Sequence, residues 1–305
     1  MILDENLHPL AEYIEIPSGV TLLSGKNCHD HLNRVSSIDI SSKFMKREES
    51  ILCDLNGRIV GHILHADLGD QILLIHNPEN AKEIRDVLST GIPWNEDVQV
   101  SAGDGAVHRL IIVGKNPGRV IIGLGIVANE LEKGHWTEFF DSMISLSSQT
   151  DGYTAFEMLV PTRLLQSIKE GLETNGGSQG DADSWLALQS LTGNIDISVE
   201  STNQIPFELG FANLIDLKKG CYPGQEIHAR MESRGIQARV GRCLKSEEKI
   251  PQGKSRFSEG KRIEILCSHR LGDTWLSYCL ISTKLDVNGE ISIEASDSTI
   301  TATFV

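Results

Sequence analysis

The sequence predicts an α+β protein that ends in a small all-β domain, a sandwich or a barrel. Three observations predict it. Strand-like and helix-like segments mix through the first 238 residues without the regular alternation of a doubly wound sheet. After Gly235 the pattern changes to short apolar runs separated by turn residues, and no helix-length periodicity follows. With 305 residues, 40% of them hydrophobic, the chain can bury the cores of two or three domains. The expected division is residues 1–238 and 239–305.

In chain order, residues 12–24 read as extended segments around a turn at Pro17-Ser18-Gly19, and a helix is expected over 30–35. Residues 51–55 form a strand, Asn56-Gly57 is a hairpin signal, and 58–65 form the returning strand. A strand over 71–76 leads to Asn77-Pro78-Glu79, which opens a helix with Ala81, Ile84, Val87 and Leu88 at helical spacing. Strands are expected at 109–113 and 119–122, a helix at 136–146 from its periodicity, a strand at 155–160, and a helix from Pro161 to Ile168. The stretch 171–183, rich in Gly, Asn, Ser and Asp, reads as a loop, and 185–191 as a short helix. In the all-β part, strands fall at 240–244, 262–267, 275–282, 291–295 and 299–305. Turns separate them at Pro251-Gln252-Gly253, Gly272-Asp273 and Asn288-Gly289.

Composition narrows the function classes. The net charge is −14, which argues against general nucleic-acid binding, because phosphate contacts demand a basic surface. Met1-Ile2-Leu3-Asp4-Glu5-Asn6 has neither the basic nor the apolar segment of a secretory signal. The longest apolar run, 120–128, holds two glycines and is too short to span a bilayer. A soluble, cytoplasmic protein with no membrane partner is expected. The six cysteines include no C-x-x-C pair, so neither a zinc ribbon nor a run of cluster ligands is expected. Reduced thiols are the default, and Cys267 and Cys279, in strand-like runs, read as small buried hydrophobes.

Three local patterns resemble functional motifs and fail on physical grounds. Gly123-Leu124-Gly125-Ile126-Val127-Ala128 has dinucleotide-fingerprint spacing but no βαβ unit around it, and reads as a glycine-relieved buried strand. Gly25-Lys26 lacks phosphate-loop spacing, and Asn27 stands where a magnesium-binding hydroxyl belongs. His29 with His31, and His62 with His65, lack the face-sharing spacing that a metal pair needs in the elements expected there.

The segment 217–235 stands apart. Cys221 lies between Gly220 and the turn Tyr222-Pro223-Gly224, and 225–234 read as a helix stopped by Gly235. Pro223 suits a first helical turn. Cys221 is therefore expected just before a helix N-terminus, with Lys218 and Lys219 behind it. Both features stabilise a thiolate, and lowering a thiol pKa by about one unit corresponds to about 1.4 kcal/mol. Gly220 and Gly224 would admit close approach of a ligand to the backbone.

The run Lys219-Gly220-Cys221-Tyr222-Pro223-Gly224-Gln225-Glu226, continued by Ala229-Arg230 and Arg234-Gly235, resembles the signature of the YgfZ, iron–sulfur-assembly branch of the aminomethyltransferase (glycine-cleavage T-protein) superfamily. Cys53-Asp54-Leu55-Asn56-Gly57-Arg58-Ile59 is similar to that family's hairpin, and Phe156-Glu157 to its G-F-E-x-x-V-P strand. The resemblance implies a three-lobed T-protein fold, with a folate-binding α+β body and a C-terminal β-barrel. It implies Cys221 as the reactive residue, with Lys219, Gly220, Tyr222, Gly224, Gln225, Glu226 and Arg230 shaping its turn. It implies tetrahydrofolate or a derivative as cofactor, with Glu157 accepting hydrogen bonds from the pterin. The implied role is assistance to iron–sulfur cluster assembly or repair in client enzymes, tRNA-modifying enzymes among them. The implied partners are those clients or assembly proteins. Two alternatives stand beside it: a folate-dependent aminomethyltransferase, and a non-catalytic scaffold with a vestigial pocket. Aminomethyltransferases carry a carboxylate pair where this chain has Arg58-Ile59-Val60-Gly61-His62. Gln189 and Leu191 stand where relatives have Arg and Glu, and Ile38-Asp39 replaces their Asn-Asp.

Overall fold

Alternation of apolar residues builds the first sheet. Strand β1 (Ala11–Ile16) pairs antiparallel with β7 (Val107–Gly114), β7 with β10 (Thr154–Pro161), and β10 with β9 (Ser142–Gln149). Strand β8 (Thr137–Phe139) closes one edge, and β11 (Gly177–Gln179) lies parallel to β1 at the other. Side chains two residues apart share a face. Tyr13, Leu110, Ile112, Phe156 and Met158 therefore face helices α3 (Pro117–Gly123) and α4 (Thr162–Thr174) through Val120, Ile121, Ile168 and Leu172. The intervening residues, Glu157 and Leu159 among them, point to the opposite face.

This computed structural model describes residues 10–40, 44–150, 152–197, 202–235, 237–258, 260–285, 289–295 and 298–305. The stretch Met1 to Asn6, inspected above for a secretory signal, and Asn288 of the last expected turn lie outside the described residues.

A second sheet has five strands in the order β3 (Arg47–Cys53), β4 (Ile59–Asp67), β5 (Gln71–His76), β2 (Gly19–Ser24) and β6 (Gln99–Ala102). Val20, Leu64, Ala66, Leu73 and Ile75 of this sheet pack with Leu159 of the first and with Trp136, just before β8. Helices α1 (Cys28–Val35) and α2 (Ala81–Ser89) accompany it. The third sheet is a closed barrel in the order β12 (Arg239–Ser246), β15 (Thr274–Ser282), β14 (Lys261–Leu271), β13 (Gly253–Phe257), β16 (Glu290–Ala295) and β17 (Ser298–Phe304). Its interior is filled by Leu244, Phe257, Ile263, Ile265, Ile281 and their neighbours. The α+β class and the closing β-barrel are thus those expected from the sequence.

The chain forms two compact units that do not follow its linear order. One contains the chain up to Val35, Asp39–Ser50 and Ile63–Ala182. The other contains Ser36–Ile38, Ile51–His62 and Asp183–Val305, and so includes the barrel together with helices α5 (Ala182–Thr192, from its second residue) and α6 (Gln225–Arg234). Among the described residues, no helix is long and apolar enough to cross a membrane.

Four local expectations need correction. The periodic stretch 136–146 is not a helix but the β8–β9 hairpin. Pairing of Ile144 with Met158 and of Leu146 with Phe156 places its apolar residues on a sheet, and only that non-local pairing separates the two choices. The expected strand 119–122 is part of α3, opened by Pro117 at its first turn. Gly123-Leu124-Gly125 therefore ends a helix, the reverse of a nucleotide fingerprint, and Gly123 abuts the Asn175 side chain. The expected loop 171–183 holds the last turn of α4 and strand β11, whose pairing to β1 no local pattern announces. Strand β13 arises where only a turn was expected.

Phe257 is 1% exposed inside the barrel and stacks edge-on against Phe304. Phe257→Ala should cost about 3–5 kcal/mol, because the void cannot collapse within a closed barrel. Faster amide hydrogen exchange throughout β12–β17 is the expected sign.

Candidate functional site

The cysteine turn rests on a hairpin built from the same unit. Between β3 and β4 the chain reverses at Asp54–Arg58. The Asp54 carboxylate accepts the backbone N–H groups of Asn56 and Arg58, each at 2.8 Å, and the Asp54 carbonyl accepts that of Gly57 at 3.0 Å. Gly57 adopts φ +70°, which a side chain would resist. Its bare Cα leaves room for a close neighbour.

Gly224 meets that surface. It caps α6 with φ +82°, and a Cβ added to it would lie 2.4 Å from the Gly57 Cα and 2.7 Å from the Asp54 carbonyl oxygen. A Cβ added to Gly57 would in turn lie 2.9 Å from His228 Nε2. The two glycines therefore let the backbone of the cysteine turn lie directly on the hairpin. The close approach to Gly224 comes from the chain itself and not from a ligand. Around Gly220 a Cβ would meet open space.

A buried chain of hydrogen bonds locks this contact. His228, on α6, is fully buried, and its Nε2 lies 2.9 Å from the Gly57 carbonyl oxygen. A carbonyl can only accept, so Nε2 carries the proton and Nδ1 is an acceptor. The Tyr222 hydroxyl, 3.1 Å from Nδ1, must then donate to it. Burial pushes the His228 pKa down against the raising effects of the Gly57 carbonyl and Asp54, so the imidazole is neutral at pH 7. Burial likewise pushes the Tyr222 hydroxyl pKa up, helped by Cys53 and Asp216, so it keeps the proton that it donates. The Phe207 ring packs edge-on to the imidazole at 5.7 Å.

The approach to Cys221 is held equally firmly. Asp216 accepts the backbone N–H groups of Lys218 at 2.7 Å and Lys219 at 3.3 Å, and the Gln225 amide reaches back to the carbonyls of Leu217 and Lys219. The Lys219 ammonium donates to the carbonyls of Ser36 at 2.7 Å and Ile38 at 2.8 Å and lies 5.5 Å from the centre of the Tyr222 ring. Lys219 thus anchors the turn through these carbonyls. Helix α6 begins at Gln225, four residues after Cys221, and Pro223 lies outside it. The helix has the expected span, and Cys221 lies on the loop just before it; only Pro223, expected in the first helical turn, falls outside. Glu226 and Arg230 form an exposed i,i+4 ion pair on α6.

Of the six cysteines, Cys221 alone is exposed; Cys267 is half-buried and the others are buried. Burial pushes the Cys28, Cys53 and Cys279 thiols up, and that of Cys243 to about 12, which makes them poor nucleophiles. Among the described residues, no three of His, Cys, Asp and Glu are grouped to hold a metal ion.

Glu157 belongs to the other unit. It is 0% exposed, and both carboxylate oxygens are engaged. Oε2 accepts from Arg47 at 3.0 Å (Nε) and 2.6 Å (Nη2), and Oε1 accepts from Arg109 Nε. Arg47 also pairs with Glu49 at 2.9 Å and lies 5.8 Å from the centre of the Trp136 ring. Two guanidiniums and two carboxylates balance. Burial alone would raise the Glu157 pKa, but the charges of Arg109 and Arg47 outweigh it and hold the carboxyl below its usual range. Sequence inspection found Glu157 but missed Arg47, Arg109 and His228. The one available signal was a charged or imidazole side chain placed where its element buries it.

Gly224→Ala should strongly destabilise the cysteine turn, since its Cβ would strike backbone atoms of the hairpin. Gly220→Ala should change stability by no more than about 0.5 kcal/mol. Comparing the reactivity of Cys221 toward a thiol reagent in the two variants tests the contrast. Glu157→Gln should cost about 3–5 kcal/mol, because it leaves two guanidiniums facing a neutral amide. The folded pKa of Glu157 is depressed, so its contribution is fully present above the unfolded value of 4.5 and is lost as pH falls below it. The variant should lack that part of the acid dependence of the melting midpoint.

No protein-family model matches the sequence, and no curated protein matches it. Among solved structures, protein Atu0741 from Agobacterium tumefaciens aligns over 57% of this chain and 95% of its own at 13% identity, with a TM-score of only 0.23. The glycine cleavage system aminomethyltransferase T from Bartonella henselae aligns over 99% of this chain and 88% of its own, with a TM-score of 0.81 at 18% identity. At that identity the likeness speaks for fold alone: the chain has the barrel-ended α+β fold of the glycine-cleavage aminomethyltransferase T-protein.

Proposed function

We propose that this protein assists assembly or repair of iron–sulfur clusters in client enzymes, with Cys221 as its reactive group. The observation that carries the proposal is the exposed thiol on a turn in which Lys219, Tyr222, Gly224 and Gln225 are held by the fold. Tyr222, Gly224, Gln225 and Lys219 each have a structural task in the 219–226 segment, whereas Cys221 is left at the surface. A side chain exposed on a rigid loop is well placed for chemistry with a partner. The thiol would serve as a transient ligand to cluster iron or as a thiol reductant toward an oxidised client. The proposed partners are client enzymes, tRNA-modifying enzymes among them, or assembly proteins of the cytoplasm. The division of the chain into residues 1–238 and 239–305 belongs to the same proposal.

Tetrahydrofolate is the cofactor that the family resemblance implies, and the T-protein fold is consistent with it. Glu157 as arranged does not fit the pterin-acceptor role, because it is 0% exposed and both its oxygens already accept from Arg47 and Arg109. No step of the proposal therefore runs through folate.

The likeness to an aminomethyltransferase favours a second reading, folate-dependent aminomethyl transfer. Against it, residues 58–62 contain no carboxylate. One experiment separates the readings. In a strain lacking the gene, wild type should restore cluster-dependent enzyme activities, while Cys221→Ser should do no better than empty vector. Equal rescue by both would sink the role of the thiol and favour a scaffold. Robust turnover of the purified protein with a lipoyl carrier and tetrahydrofolate would establish the second reading instead.

A further inference from the structure

The barrel carries a cationic groove of about 730 Å³ that has no part in the cysteine site. Its volume lies within the usual range for small-molecule sites, about 300–1,000 Å³. Ala238 and Leu285 contribute apolar surface to it. Lys254, Arg256, Lys261 and Arg262 line it from the β13–β14 hairpin.

Two features of this groove are uncompensated within the fold. Arg256 and Arg262 are direct cross-strand partners in register, an arrangement of like charges that costs stability. Lys254 stands opposite Glu264, but that carboxylate is bound by Arg239 Nη1 at 2.6 Å. Arg239 itself is satisfied further by Glu208 and Gln204. Among the described residues, Lys254, Arg256 and Arg262 make no ion pair. The chain has 42 acidic residues against 28 basic ones, so a shortage of carboxylates does not explain the gap.

We propose that this groove binds an organic phosphate, its phosphate group held between Arg256 and Arg262 and its apolar or aromatic body against Ala238 and Leu285. Paired guanidinium forks match the several oxygens of a phosphate dianion, which also relieves their mutual repulsion. The apolar surface selects against inorganic phosphate. The strongly acidic chain selects against a nucleic-acid polymer, whose affinity needs an extended basic surface.

Titration of the full chain with 1-naphthyl phosphate, followed calorimetrically, tests the proposal. Saturable binding at one site is expected, with 1-naphthol and inorganic phosphate each at least about tenfold weaker. The double variant Arg256→Gln, Arg262→Gln should lose at least about tenfold in affinity, while its melting midpoint stays level or rises because the like-charge pair is gone. Unchanged affinity in the double variant would overturn the proposal, as would equal binding of naphthol. So would absence of naphthyl phosphate binding, with or without RNA binding that needs both arginines. A midpoint several degrees lower would also overturn it, since the pair would then be compensated within the fold.

Discussion

The candidate site depends on one contact: Gly224 lying bare against Gly57. Each glycine adopts a left-handed backbone, and each occupies space that a side chain would fill. That contact brings the helix-capping turn onto the Asp54–Arg58 hairpin, although the two lie far apart in sequence. His228 then closes the arrangement, because only a neutral imidazole with its proton on Nε2 can donate to Gly57 while accepting from Tyr222. The turn is a consequence of backbone approach first and side-chain chemistry second. The buried tyrosine–histidine pair then holds the turn in place.

The same economy of paired polar groups governs the buried charges. Glu157 lies inside one unit because two arginines meet it, and Glu208 is buried in the other because Arg239 does. A buried carboxylate without such partners costs several kcal/mol. The residue that sequence similarity marks as a ligand acceptor is here a structural ion. The barrel groove presents the opposite case: among the described residues, Lys254, Arg256 and Arg262 are left at a surface without an ion pair.

Much of the architecture was legible because it is local. Helix α6 runs over Gln225–Arg234, the span that Gly224, Gly235 and the spacing of Ile227 and Met231 define. The short apolar runs of β14 and β15, and the turns that separate the barrel strands, likewise depend on near neighbours in sequence. The misreadings at 119–122 and 136–146 occur where short apolar runs satisfy both helical and extended spacing. There the deciding energy comes from partners distant in sequence, such as β10 for β9.

By itself the sequence determined the α+β class, the all-β C-terminal part and the unusual character of residues 219–226. These follow from periodicity, turn chemistry and residue identity, all of which act over a few positions. Only the tertiary structure decided that Gly224 serves backbone packing, that Lys219 binds the carbonyls of Ser36 and Ile38, and that Glu157 is neutralised by Arg47 and Arg109. Each of these outcomes requires groups separated by dozens of residues or more to meet. Burial then makes an unpaired donor, acceptor or charge too costly to leave, and this condition, invisible along the chain, assigns the side chains their tasks.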